Sequence, residues 1–124
     1  MTVEVRYLVH DVDVASAFYI THLGFEELGD WGGGAPFKML GRGDLVLWVS
    51  GPGSSASRPM PDGAQPEPGG WNRFVIEVDD IEAEVARLRE AGVPFRGDVV
   101  TGPGGKQVVI DDPSGNAIEL FQPA

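Results

Sequence analysis

Residues 3–25, VEVRYLVHDVDVASAFYITHLGF, are echoed in different letters by residues 72–93, NRFVIEVDDIEAEVARLREAGV. Both stretches read as an apolar-rich strand, an Asp, a short helix, and a Gly followed by a hydrophobic residue. Aligning Asp11 with Asp80 and Gly24 with Gly92 leaves copies that differ by one residue in length. A repeat of this size, used twice, is a structural module and not the unit of a solenoid.

Working outward, Val3, Val5, Tyr7 and Val9 alternate with Glu4, Arg6, Leu8 and His10, the pattern of a strand with one strongly apolar face. Asp11 suits the N-cap of the helix that follows, over 12–22, and Asp13 complements its dipole. Gly24 suits the left-handed position that ends it. Short strands are expected at 25–28, 37–40 and 45–50, with Gly41-Arg42-Gly43-Asp44 as the last turn. The second module repeats the plan. Asp80 caps a helix on which Ile81, Val85 and Leu88 fall at helical spacing, and Gly92 closes it. Strands are expected near 94–100, 106–111 and 116–121, the last two joined by a type I turn at Asp112-Pro113-Ser114-Gly115. Between the modules, GPGSSASRPMPDGAQPEPGG excludes helix and central strand alike and reads as a linker. The chain is therefore α+β, with one βαβββ module at 1–50, a linker at 51–70 and a second βαβββ module at 71–124.

The formal net charge of −10 repels phosphate backbones and anionic membranes, and it attracts cations. Cys is absent, which excludes disulfides, thiolate metal sites and cysteine nucleophiles. The first residues lack the apolar run of a signal peptide, and no stretch nears the length of a membrane span. The expectation is a cytoplasmic protein with no nucleic-acid or membrane partner.

The segments DVDVASAFYITHLGF, DDIEAEVARLREAGV and DPSGNAIELF together resemble the vicinal oxygen chelate superfamily, which includes glyoxalase I, extradiol dioxygenases and bleomycin-resistance proteins. The resemblance covers both modules. It implies paired curved mixed sheets around a cleft, often in a homodimer, and a small-molecule ligand. It does not fix an activity. Metal-dependent members draw ligands from the first and last strands of each module. Carried over by position, that set is Glu4, Leu47, Arg73 and Glu119.

This set is a poor metal site, because leucine has no lone pair to donate and a guanidinium is a permanent cation with no acceptor. Arg73 between two carboxylates instead suggests an ion-paired cluster. His10 stands about 20 Å along the strand from Glu4, and His22 ends a helix on the outer side of the sheet, so neither histidine completes a ligand sphere. The expectation is no metal and no other cofactor, an oxygen-only site on Glu4 and Glu119 being the alternative for a weakly held divalent ion. Two readings stand for Glu119: half of a structural salt bridge with Arg73, or a ligand contact or general base. Arg6 and Glu77 are placed at the cleft mouth. If Leu47 faces the cleft, then Trp48 packs beneath a helix. Trp31, in a glycine-rich loop, is a candidate for stacking on a planar ligand, and Trp71 for anchoring the linker. Residues 102–107 lack the spacing of a phosphate loop, and Ser114 sits in a turn, not a nucleophile elbow.

The leading expectation is a metal-free relative of the glyoxalase and bleomycin-resistance proteins that binds a small organic molecule, a cationic one being a concrete candidate. The candidate ligand contacts are Glu4, Arg6, Trp31, Leu47, Arg73 and Glu119. The alternative is a lyase, isomerase or dioxygenase of the same superfamily that uses Glu119 or Glu4 as base or metal ligand.

Overall fold

The computed structural model describes residues 3–29 and 36–124. The first half comprises β1 (Val3–Leu8), α1 (Val12–Leu23), β2 (Glu26–Gly29), β3 (Phe37–Arg42) and β4 (Leu45–Ser50). The second comprises β5 (Phe74–Glu77), α2 (Ile81–Glu90), β6 (Val100–Gly102), β7 (Gly105–Asp111) and β8 (Ala117–Pro123). The chain divides into two compact units, Met1–Gly69 and Gly70–Ala124.

Each unit is one four-stranded mixed sheet backed by one helix, in the orders β1-β4-β3-β2 and β5-β8-β7-β6. In both, the first strand lies parallel to the last, and the other pairings are antiparallel. The α+β architecture and the βαβββ order agree with the sequence reading. None of the described helices is long and apolar enough to cross a membrane.

The caps explain where the helices begin and end. The Asp11 carboxylate accepts from the Val14 amide at 3.0 Å, and Asp80 accepts from Ala83 at 3.1 Å, each satisfying an amide that has no intrahelical partner. Gly24 takes the left-handed conformation with φ 71°, which lets the Phe25 amide return to the Tyr19 carbonyl. In the first unit the core lies between helix and sheet. Ala15, Tyr19 and Leu23 meet Phe25, Leu40, Leu47 and Val49 there, all buried, with Tyr19 edge-on to both Phe18 and Phe25. Ile76, Ile81, Leu88, Val108, Ile110, Ile118 and Leu120 form the core of the second.

Lys38 ties the first unit's helix to its sheet. Its ammonium lies 3.3 Å from both Asp13, in the first turn of α1, and Glu27 on β2. The hydrogen bonds to Glu27 and then Asp13 raise its pKa above the ordinary lysine value.

One local reading is corrected. The strand expected near 94–100 is broken. The Arg96 amide bonds the Val109 carbonyl and Asp111 bonds Pro94, but regular pairing resumes only at β6. Gly97 interrupts the run, and Asp98 turns outward to Arg89. In addition, residues 51–69 belong to the first compact unit. A 3₁₀ turn at Ser55–Ser57 follows buried Ser54, whose hydroxyl donates to the Gly51 carbonyl, and the Gln65 amide donates to the Ser57 carbonyl.

The turn before β8 rests on a buried carboxylate. One oxygen of Asp112 accepts from the Ser114 and Asn116 amides at 2.8 and 2.9 Å, and the other accepts from the Asn116 side chain at 3.0 Å. Gly115, at φ 80°, supplies the left-handed residue. These contacts explain why Asp, Gly and Asn occur together there.

Candidate functional site

Strand register decides which side chains share a face. In the first unit Val5, Leu47 and Leu40 align across β1, β4 and β3, and Leu47 is fully buried on the helix side. The sequence expectation for Leu47 is therefore corrected: Trp48, one residue on, occupies the opposite face. Residues 45–50, LVLWVS, are apolar on both faces, so alternation alone does not reveal which side is core. The parallel pairing with β1 does, because it sets Arg6 beside Trp48 and Glu4 beside Val46.

On that face, Trp48 is half-buried and meets Phe37 edge-on, with ring centroids 5.4 Å apart at 83°. The Arg6 guanidinium stands over the indole, 4.8 Å from its centroid. Arg6 and Glu4 are both exposed and form no ion pair among the described residues. Two buried polar atoms on this face, Trp48 Nε1 and Ser50 Oγ, have no hydrogen-bond partner among the described residues. Sequence reasoning missed the Arg6–Trp48 stack and Ser50, whose alignment requires the register.

In the second unit the corresponding face carries Val75 and Glu77 from β5, Glu119 and Phe121 from β8, and Gln107 and Val109 from β7. Val75 pairs with Glu119 as Arg6 pairs with Trp48. Arg6 and Val75 each lie five residues before their capping Asp. Trp48, and not Leu47, is therefore the counterpart of Glu119.

Arg73 engages Glu119 through a single oxygen. Its Nε and Nη2 donate to Oε1 at 3.0 and 2.8 Å, while Nη1 donates to the Trp71 carbonyl. Glu119 is 12% exposed at its side chain and Arg73 26%, so the pair is partly screened from water. Oε2 of Glu119 takes no partner among the described residues. Trp71 is exposed and stacks on Arg96, which also binds Asp111 and the Gly70 and Gly115 carbonyls. Arg96 thereby fixes the entry into β5.

The remaining candidates do not join these faces. His22 lies edge-on to Phe18 in the last turn of α1. His10 lines an open hollow of about 460 Å³ with Asp11, Asp13, Phe37 and Lys38, where Asp11 already caps the helix and Lys38 is ion-paired. Trp31 lies outside the described residues.

The donor set does not fit a divalent metal. The four corresponding positions are Glu4, Trp48, Arg73 and Glu119. Indole nitrogen offers no lone pair in the ring plane, and the guanidinium holds Glu119 Oε1. Among the described residues, no three His, Cys, Asp or Glu side chains are grouped to hold an ion.

The model of the Glyoxalase/Bleomycin resistance protein/Dioxygenase superfamily matches residues 3–120, and the chain belongs to that family. No curated protein matches the chain significantly. Among solved structures it is similar to TnmS3, an antibiotic binding protein from Streptomyces sp. CB03234, at 29% identity and TM-score 0.76, covering 100% of this chain and 96% of that one. It is similar to a lactoylglutathione lyase from Agrobacterium tumefaciens at 25% identity and TM-score 0.73, covering 98% and 92% of the two chains. A superfamily member from Sphaerobacter thermophilus DSM 20745 shares the fold at 24% identity and TM-score 0.80, over 98% and 96%.

Proposed function

We propose that the chain is a metal-independent binding protein for a small organic molecule, held on the sheet faces that turn away from the helices. One observation carries the reading: where related enzymes place metal ligands, this chain has Arg73 bonded to Glu119 and an aromatic residue, Trp48. Two features favour a cationic ligand. The net charge of −10 draws cations in, and the Trp48 ring already accepts a guanidinium. Similarity to an antibiotic binding protein supports sequestration over turnover. A homodimer working in the cytoplasm belongs to the same proposal.

A second reading is favoured by the open Oε2 of Glu119 and by similarity to the lactoylglutathione lyase: an enzyme in which Glu119, or Glu4, takes a proton from the substrate.

The test has two arms. Elemental analysis of dialysed protein should find well below one equivalent of Zn, Ni, Mn or Fe per chain, and calorimetry should detect binding of bleomycin. Stoichiometric metal, or turnover of the hemithioacetal of methylglyoxal and glutathione, would establish the enzyme reading instead.

A further inference from the structure

Resting on the binding reading above, we propose that the Arg6 guanidinium, lying over Trp48, occupies the seat of a planar organic cation, and that such a ligand binds by displacing Arg6 and stacking on the indole.

Four observations converge on this seat. A guanidinium is itself a flat, delocalised cation, and it stands 4.8 Å from the ring centroid, within the range of cation–π attraction. Arg6 is exposed and has no ion pair among the described residues, where the ring is the contact recorded for its charged end. The ring, in contrast, is fixed: Phe37 meets it edge-on, and the strand beneath it is paired on both sides. An exposed side chain over a well-packed ring is readily replaced.

The fourth observation is that this face keeps unmet polar groups that a guanidinium cannot satisfy. Trp48 Nε1 is a donor and Ser50 Oγ both donates and accepts, and both are buried on this face without a partner. Their residues lie two apart on one strand, with Cα atoms about 7 Å from each other. Arg6, which has donors only, leaves the indole N–H unmet. Both atoms are closed to solvent with Arg6 in place, so the stacking face of the ring, and not these edge groups, defines the seat.

Arg6 is then a competitor for the site and not a contact for the ligand, which gives a result opposite to the usual one for an Arg near a binding site. Proflavine, a planar cation whose protonated ring nitrogen and edge amines are donors, probes the stacking seat by itself, followed by its fluorescence in titration against wild type, R6A, R58A, W48F and W48L. R6A is expected to tighten binding about two- to fivefold, the gain of uncovering an exposed cation–π seat. R58A, which removes an equal charge from the exposed 51–70 segment, controls for the long-range field and should change affinity by less. W48L should weaken binding at least tenfold and W48F should keep part of it. The R6A-to-R58A comparison stands alone if W48L fails to fold.

Weaker or unchanged binding by R6A, or tightening matched by R58A, overturns the displacement. Binding of bleomycin to wild type with no proflavine binding by any variant overturns the planar-cation seat but leaves the binding function intact. Binding of neither compound to wild type or R6A removes both.

Discussion

The two halves use the same strands to opposite ends. In the second, Arg73 meets a carboxylate, and charge is neutralised in a partly buried place. In the first, Arg6 meets an indole and remains exposed at the surface. Duplication has kept what builds the fold, the capping Asp and the parallel pairing, while the aligned positions Trp48 and Glu119 have diverged into an aromatic platform and an ion pair. A scaffold set by caps and register leaves its face free to change.

The sharpest test of that divergence lies in the last turns. Asp112 is buried and satisfies three donors, whereas Asp44, in the corresponding turn of the first half, is exposed. D112A should cost about 3 kcal/mol, since the buried donors lose charged acceptors, and D44A less than about 0.5 kcal/mol. Urea denaturation of the two variants compares them directly, and equal losses would show that the turns do the same work.

The arginines come next. R73L removes the partner of a mostly buried carboxylate and should cost about 1–3 kcal/mol, discounted from a fully buried pair because both groups keep some water contact. R6L should cost less than about 0.5 kcal/mol. If R73L lowers melting and leaves ligand affinity unchanged, the pair is structural. If affinity falls with little change in melting, Glu119 belongs to the binding site.

A smaller effect than that of R73L concerns Lys38, which bridges sheet and helix as the Lys106–Glu82 pair does in the second half. K38M should cost less than about 1 kcal/mol. Because the folded pKa is raised, this contribution is fully present below the unfolded lysine value of 10.5 and is lost as pH climbs through the folded value. Wild type and K38M should therefore converge in stability at strongly alkaline pH. A difference that persists there would assign the effect to packing of the lysine stem.

Local chemistry made much of this legible in the sequence. A cap needs only Asp at the right distance from a Gly, and Asp11, Gly24, Asp80 and Gly92 sit where the helices begin and end. The Arg73–Glu119 pair followed from aligning each module on its cap, although the observed contact uses one carboxylate oxygen, not two. The first-half face was not legible. Residues 45–50 are apolar on both sides, and neither Leu47 nor Trp48 announces its direction until β1 is laid alongside in parallel. The broken strand after Pro94 escaped for a related reason: its pairing is set by Arg96 and Asp111, which lie 15 residues apart in the chain.

The parallel contact between the first and last strand of each half also has a consequence in time. β7 and β8 form a local hairpin that can close early, but β5 finds its place only beside β8, as β1 does only beside β4. Pairings between distant segments are the slow ones. During synthesis β1 leaves the ribosome before β4 and must wait until β4 has emerged, exposing its unpaired edge in the interval. The strand that carries Arg6 is thus made well before the partner that secures it.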